Sequence, residues 1–222
     1  MPANTPSRFW DRHAAKYAEK PVPDEHAYQQ TLERVRAHLS PSDRVLELGC
    51  GTGSTALALA ASAGEILATD YSEQMIAIAR AKARSQGVAN VRFQQCSADD
   101  PALIPASFDV VMAMNLLHLL RDHSAQLRRI HDLVRPGGLF ISKTPCIGDQ
   151  GVGLRVVIPV LRAFGLAPHV SFVTERSLTT LITSSGFSIR ETGMYPSKTR
   201  SFFVVAQRAA ESAMNAPVIP CR

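Results

Sequence analysis

Paired cysteines are missing from this sequence. Four occur, Cys50, Cys96, Cys146 and Cys221, and none has the short spacing of a metal clip or a disulfide framework. No metal site is therefore expected, and the thiols read as free in a reducing compartment. No run approaches the ~18 apolar residues of a membrane helix. Residues 1–20 hold Arg, Trp, Asp and His where a secretory leader needs an unbroken apolar stretch, which reads as a cytoplasmic chain. Internal repeats and low-complexity tracts are absent. So is Gly-Lys-Ser/Thr, which removes the nucleotide phosphate loop.

What is present suits one globular unit. At 222 residues and 45% hydrophobic, the chain can bury one good core. Its net charge of +5 is unevenly spread, with 11 basic and 13 acidic residues before Val111 and 13 and 6 from there on. The basic second half reads either as a solubilising surface or as a preference for anionic substrates.

Strand-like and helix-like patterns alternate along the chain. A polar, aromatic leader interrupted by Pro21 and Pro23 precedes a helical pattern through Leu32, Val35 and Leu39. Strands are expected at 44–48, 65–69, 91–95, 108–114 and 139–142, with helices at 55–62, 73–86 and 123–134. This order predicts right-handed crossovers and an open, doubly wound α/β sheet. The rhythm then changes. A Gly- and Pro-punctuated segment, 148–173, could hold one helix over 154–164, followed by a helix at 174–185 and strands at 187–192 and 201–207. The last two are joined without a helix, which favours an antiparallel pair with a reversed strand at the sheet edge.

The first strand ends in Val45-Leu46-Glu47-Leu48-Gly49-Cys50-Gly51-Thr52-Gly53-Ser54. In an open parallel sheet the first strand-to-helix turn serves the ligand, and glycines there let it approach the backbone. The dinucleotide pattern Gly-x-Gly-x-x-Gly fails because its sixth position is Ser54. Glu47 would repel a pyrophosphate and suits an ammonium or sulfonium instead. Asp70, just after the second strand, stands where an acid commonly accepts both hydroxyls of a ribose. An adenosine-like sugar, a positive group and no phosphate describe S-adenosylmethionine.

With Thr69-Asp70-Tyr71-Ser72-Glu73-Gln74-Met75, Ser107-Phe108-Asp109-Val110-Val111 and Leu133-Val134-Arg135-Pro136-Gly137-Gly138, that first motif resembles the class I S-adenosylmethionine-dependent methyltransferases. Within them it is similar to the small-molecule enzymes of ubiquinone and menaquinone biosynthesis, over roughly 44–207. The resemblance implies a Rossmann-like sheet of seven strands, mostly parallel with the last one reversed. It implies one domain over 1–222: an N-terminal lid (1–40), a cofactor-binding core (44–145), a substrate cap (146–173), a C-terminal helix and strand pair (174–208) and a tail (209–222).

Site residues follow from the same resemblance. Glu47 with the backbone of Gly49, Cys50 and Gly51 would hold the methionine part, Asp70 the ribose, and Tyr71 and Met75 the adenine faces. Asn115 would touch the methionine part or line the transfer channel. Relatives often carry Gly-Asp-Ala after strand three, and Cys96-Ser97-Ala98 stands there instead. Asp99, Asp100 or the Ser97 hydroxyl would then read the adenine, with Asp99 preferred. Phe9-Trp10-Asp11, Ala14 and Tyr17 match a leader that folds over the cofactor, making Tyr17 a contact; for Trp10 simple packing on the sheet is the alternative.

The implied reaction moves a methyl group from S-adenosylmethionine to a small-molecule acceptor by in-line displacement, leaving S-adenosylhomocysteine. His118 is the candidate base, with a structural role as its alternative; His169 and Tyr195 are weaker candidates. Lys143, Lys198 and Arg200 would meet an anionic acceptor or face solvent. Val156, Val157, Ile158, Val160, Leu161 and Phe164 would line an apolar pocket or pack on the core. An RNA or protein methyltransferase, or a cofactor-binding protein without turnover, are the other readings. Nucleic acid is disfavoured by the absence of Asp/Asn-Pro-Pro-Tyr/Phe after strand four.

Overall fold

A computed structural model describes residues 6–150, 152–164, 166–195 and 201–210. Most of the expected tail, from 211 on, lies outside these residues, as do Lys198, Arg200 and Cys221. Helices α1 (Pro6–Glu19) and α2 (Glu25–Arg36) flank the two leader prolines. Then follow β1 (Arg44–Leu48), α3 (Ser54–Leu59), β2 (Glu65–Asp70), α4 (Glu73–Gln86), β3 (Val91–Gln95), β4 (Phe108–Met114), α5 (His123–Leu133) and β5 (Val134–Pro145). The chain continues through α6 (Val152–Ala163), α7 (Glu175–Ser184), β6 (Phe187–Met194) and β7 (Ser201–Arg208).

One seven-stranded sheet has the order β3-β2-β1-β4-β5-β7-β6. β1 pairs in parallel with β2 on one side and β4 on the other. The chain winds outward from β1 in one direction and from β4 in the other, so the crevice between them is the switch point at which such sheets bind ligands. Strand residues alternate between two cores. Val45, Met112, Ile141 and Phe203 face one of them with Leu32, Val35, Ile76 and Ala79. Leu46, Val111, Phe140 and Val204 face the other with Leu127, Ile130, Leu178 and Ile182.

Helix starts follow from local chemistry. Asp24, Ser72, Asp122 and Thr174 each accept a backbone N–H from the first turn of the helix they precede. The segment after the glycine turn is shorter as an α-helix than expected, and closes in a tight 3-10 turn at Ala60–Ser62. β5 is longer than expected: the Pro136-Gly137-Gly138 turn is absorbed as a register shift against β4. A Cβ on Gly138 would lie 2.6 Å from the Asp109 carbonyl oxygen, which explains the glycine.

β6 and β7 form the expected antiparallel pair. β7 is the reversed strand and sits one place in from the edge, between β5 and β6. Burial explains the order: Ser201 to Ala206 are all buried, as an interior strand requires, whereas β6 alternates like an edge. Among the described residues no helix is long and apolar enough to cross a membrane.

Phe140 is fully buried, its ring 5.4 Å from that of Phe187. Phe140→Ala should cost about 3–5 kcal/mol of unfolding free energy, read as a lowered denaturation midpoint.

Candidate functional site

The turn after β1 places three glycines in left-handed backbone, with φ of 67° at Gly49, 53° at Gly51 and 76° at Gly53. Two of them are needed for packing. A Cβ on Gly49 would meet Leu116 Cδ1 at 2.7 Å, and one on Gly53 would meet the Phe93 ring at 2.6 Å. Gly51 differs: its nearest neighbour would be Tyr17 Cε1 at 3.9 Å, so bare backbone lies under a tyrosine ring.

Two carboxylates meet this turn. Asp70 Oδ2 accepts the Gly51 N–H at 3.0 Å and Oδ1 accepts the Ser72 N–H at 2.9 Å. Burial pushes its carboxyl up, and those two bonds oppose the rise. Each oxygen retains a lone pair, enough for paired hydroxyls. Glu47, 2% exposed, has no hydrogen-bond partner for Oε2 among the described residues. Burial pushes its carboxyl up to about 8, opposed by the Ala56 backbone and reinforced by Asp70. A buried carboxylate oxygen without a partner is a site for a cation or a donor.

Helix α1 covers the turn. Asp11 Oδ1 accepts from Ser72 Oγ at 2.6 Å and from the Gln74 N–H at 3.3 Å, which pins α1 to the start of α4. Trp10 stands edge-on to Tyr17, centroids 6.1 Å apart, with its indole near the Tyr71 hydroxyl. Burial, then Asp70, pushes Tyr71 up to about 12. Tyr17 keeps 48% of its surface in solvent, yet its hydroxyl is pushed up by burial and by Asp70 and Glu47, so its inner edge faces the two acids.

A cavity of about 480 Å³ opens beside Gly49 and Asp70. Phe9, Trp10, Tyr71, Ser97, Ala98, Asp99 and Leu116 line it, with Arg121, Arg162 and His169 on its cap side. Of the three adenine-reading candidates, Ser97 and Asp99 reach this wall. Asp99 Oδ2 accepts from Gln126 at 2.9 Å, while Asp100 caps a turn by accepting the Ala102 N–H at 2.9 Å.

Other expected residues lie elsewhere. Met75 is buried in the core and is absent from the cavity wall. Asn115 is exposed, in left-handed backbone with φ of 55°, its N–H bonded to the Lys143 carbonyl at 2.7 Å. Cys50 is buried within the turn, and burial raises its thiol well above the usual value. His118 is off the wall, its Nδ1 buried without a partner among the described residues; burial drives its pKa down to about 4. Its carbonyl accepts the Ser171 N–H at 2.7 Å, a structural tie between the end of β4 and the cap. Lys143 neither faces solvent nor reaches the cavity: it is buried and donates to Thr31 Oγ1 at 3.0 Å. Tyr195 packs on Phe203, rings 5.8 Å apart. In the cap Val157, Val160, Leu161 and Phe164 point outward, and Ile158 lines a hollow under α6; the side chain of Val156 is outside the described residues.

Arg121, Gln126 and Arg162 were not anticipated. A lone cation in the apolar run Val160-Leu161-Arg162-Ala163-Phe164 is the signal that could have marked the last.

The methyltransferase-domain family matches residues 45–138. Over 192 residues the chain is 30% identical to the ubiquinone biosynthesis O-methyltransferase of Xanthomonas axonopodis pv. citri, covering 83% of this chain and 77% of that protein. The chain belongs to the S-adenosylmethionine-dependent methyltransferases. It is a methyltransferase whose cofactor is S-adenosylmethionine. The ubiquinone biosynthesis O-methyltransferase of Pseudomonas syringae pv. tomato is 33% identical over 138 residues, 62% of this chain. The methyltransferase spans 57% of that relative's length. The YcgJ protein of Bacillus subtilis shares the fold, with a TM-score of 0.68 at 17% identity over 84% of this chain and 99% of its own. The Glu47 oxygen, without a partner among the described residues, and the side-chain-free backbone at Gly51 suit a cationic cofactor without phosphate.

The glycines should separate by cost. Gly51→Ala carries only the penalty of left-handed backbone, about 1–2 kcal/mol. Gly53→Ala adds the overlap with Phe93, about 1–3 kcal/mol more, and should show the lower melting temperature of the two.

Proposed function

We propose that this methyltransferase moves the methyl group to a small-molecule acceptor in the cytoplasm, with an oxygen nucleophile favoured by the naming of its relatives. The observation that carries the reading is the cavity. It runs from Gly49 and Asp70 to the cap, and α1 and the cap both contribute to its wall. At about 480 Å³ it suits a small molecule better than an RNA or protein segment.

Within that reading Asp70 takes the ribose hydroxyls. Glu47 and the backbone of Gly49, Cys50 and Gly51 face the methionine part. Tyr71 lies along the adenine, whose edge meets Ser97, Ala98 and Asp99. Tyr17 and Trp10 cover the whole. Asn115 approaches from outside the wall, and Met75 supports the site from below through α4. Bound, the sulfonium supplies an already activated methyl group. The chain's own residues bind, orient and exclude water, and alignment alone can be worth about 7–11 kcal/mol. His118 stays neutral at physiological pH and off the cavity wall, so its part is to hold the turn that carries Leu116.

Glu47 sets a pH dependence. Its carboxyl, at about 8, is mostly protonated at neutral pH, and a cation favours the ionised form. S-adenosylmethionine binding should therefore release protons below about pH 8, and affinity should climb toward that pH and level off above it. Calorimetry in buffers of different ionisation heat measures the release. Glu47→Gln should abolish both the release and the pH slope.

Function itself is tested by titrating S-adenosylhomocysteine against the emission of Trp10, the sole tryptophan, followed by labelled methyl transfer to phenols, catechols, thiols, amines and carboxylic acids. Saturable binding with turnover of one small-molecule class is expected. Binding without turnover would mark an inactive scaffold, and label appearing only on RNA or protein would overturn the small-molecule reading.

A further inference from the structure

The cap side of the cavity carries two guanidiniums, those of Arg121 and Arg162, and the carboxylates near them form no ion pair with either among the described residues. The two acids on the same wall are engaged elsewhere: Asp99 accepts from Gln126 at 2.9 Å, and Asp122 caps α5 by accepting the Ala125 N–H at 2.9 Å.

His169 fixes one of the arginines without neutralising it. Ser171 Oγ donates to the Leu120 carbonyl at 2.7 Å, so it accepts from His169 Nε2–H at 3.1 Å. That tautomer leaves Nδ1 free to accept from Arg162 Nη1 at 3.2 Å. Burial first, then Arg162 and Arg121, lowers the imidazole's pKa and keeps it neutral. The result is a guanidinium braced by a neutral ring, with donors to spare for an outside acceptor. Arg162 also belongs to a second hollow of about 380 Å³ under α6, whose other walls are mainly apolar: Ile158, Pro159, Ala163, Val170 and Phe172.

We propose that Arg121 and the His169-braced Arg162 bind an anionic group of the methyl acceptor, a carboxylate or a phosphate, with the acceptor's apolar body against α6. The inference rests on reading the cavity as the methyl-transfer site. It adds a charge requirement that the cofactor does not impose. Asp70 lines the cofactor's half with Glu47 buried behind the glycine turn, whereas Arg121 and Arg162 line the acceptor's half, so the two guanidiniums lie on the acceptor side.

The test uses the full chain with and without S-adenosylhomocysteine. Benzoate, phenyl phosphate and benzamide serve as probes, followed by ligand-observed NMR. The two anions should bind at least about tenfold more tightly than the amide. The Arg121→Gln/Arg162→Gln double variant should lose that preference while changing S-adenosylhomocysteine affinity by less than about twofold, which also reports that it folds. The ranking of benzoate against phenyl phosphate identifies which anion is read. Equal binding of anion and amide, or an unchanged preference in the variant, overturns the proposal. A parallel loss of S-adenosylhomocysteine affinity also overturns it, because the arginines would then serve the cofactor's own carboxylate. Failure of the wild type to bind S-adenosylhomocysteine would instead strike the reading of the cavity, and the cofactor-free titration would still decide the anion question.

Discussion

A carboxylate that β1 carries into the interior sets the terms for everything around it. Glu47 is 2% exposed and faces the α2 side of the sheet, next to core residues Val45 and Met112 on the same face. With its pKa at about 8, holding it ionised at pH 7 costs about 1 kcal/mol, small enough for one bound cation to offset. An acid whose pKa rises on folding keeps its proton longer in the folded state. Glu47 therefore subtracts stability as pH climbs from about 4.5 to about 8, and a cationic ligand reverses that loss. The penalty is tolerable because β1 pairs on both sides and is otherwise apolar from Val45 to Leu48.

Helix α1 and the glycine turn are joined by one run of hydrogen bonds. Asp11 accepts from the Ser72 hydroxyl, the Ser72 N–H donates to Asp70, and Asp70 also holds the Gly51 N–H. Ser72 meanwhile caps α4 by accepting the Met75 N–H at 3.2 Å. A single serine thus fixes the start of α4, orients the acid beside the glycines and ties down α1. Displacing α1 would therefore disturb the hydrogen bonds that orient Asp70. The aromatic contacts among Phe9, Trp10, His13 and Tyr17 stiffen α1 along the face it presents to the turn.

Much of this was legible because it is local. Strand-length apolar runs, the glycines with Glu47 before them, and Asp70 at the end of β2 all sit within short windows where pattern and turn chemistry agree. The order of the last two strands is a long-range matter, yet Phe202-Phe203-Val204-Val205-Ala206 is an unbroken apolar run and Ser188-Ile189-Arg190-Glu191 alternates, so the interior and edge places were written there. What could not be read is which way a side chain turns. Met75 follows the acid closely in sequence but is buried away from the cavity wall, Lys143 finds Thr31 across 112 positions, and Arg162 reaches the cavity only because the cap folds back toward the end of β4.

The cap and the core also differ in how firmly they are held. α1 is tied down by Asp11, and α4, α5 and α7 bury apolar faces against the sheet. α6 does neither to the same degree: Phe164 is 76% exposed and Val160 51%, and Pro159 within the helix removes one of its backbone hydrogen bonds. A segment that buries little and lacks a helical bond opens at low free-energy cost compared with the sheet beneath it. The cap is therefore the weakly held wall of the cavity, whereas the glycine turn and its two acids are fixed by hydrogen bonds and by the sheet.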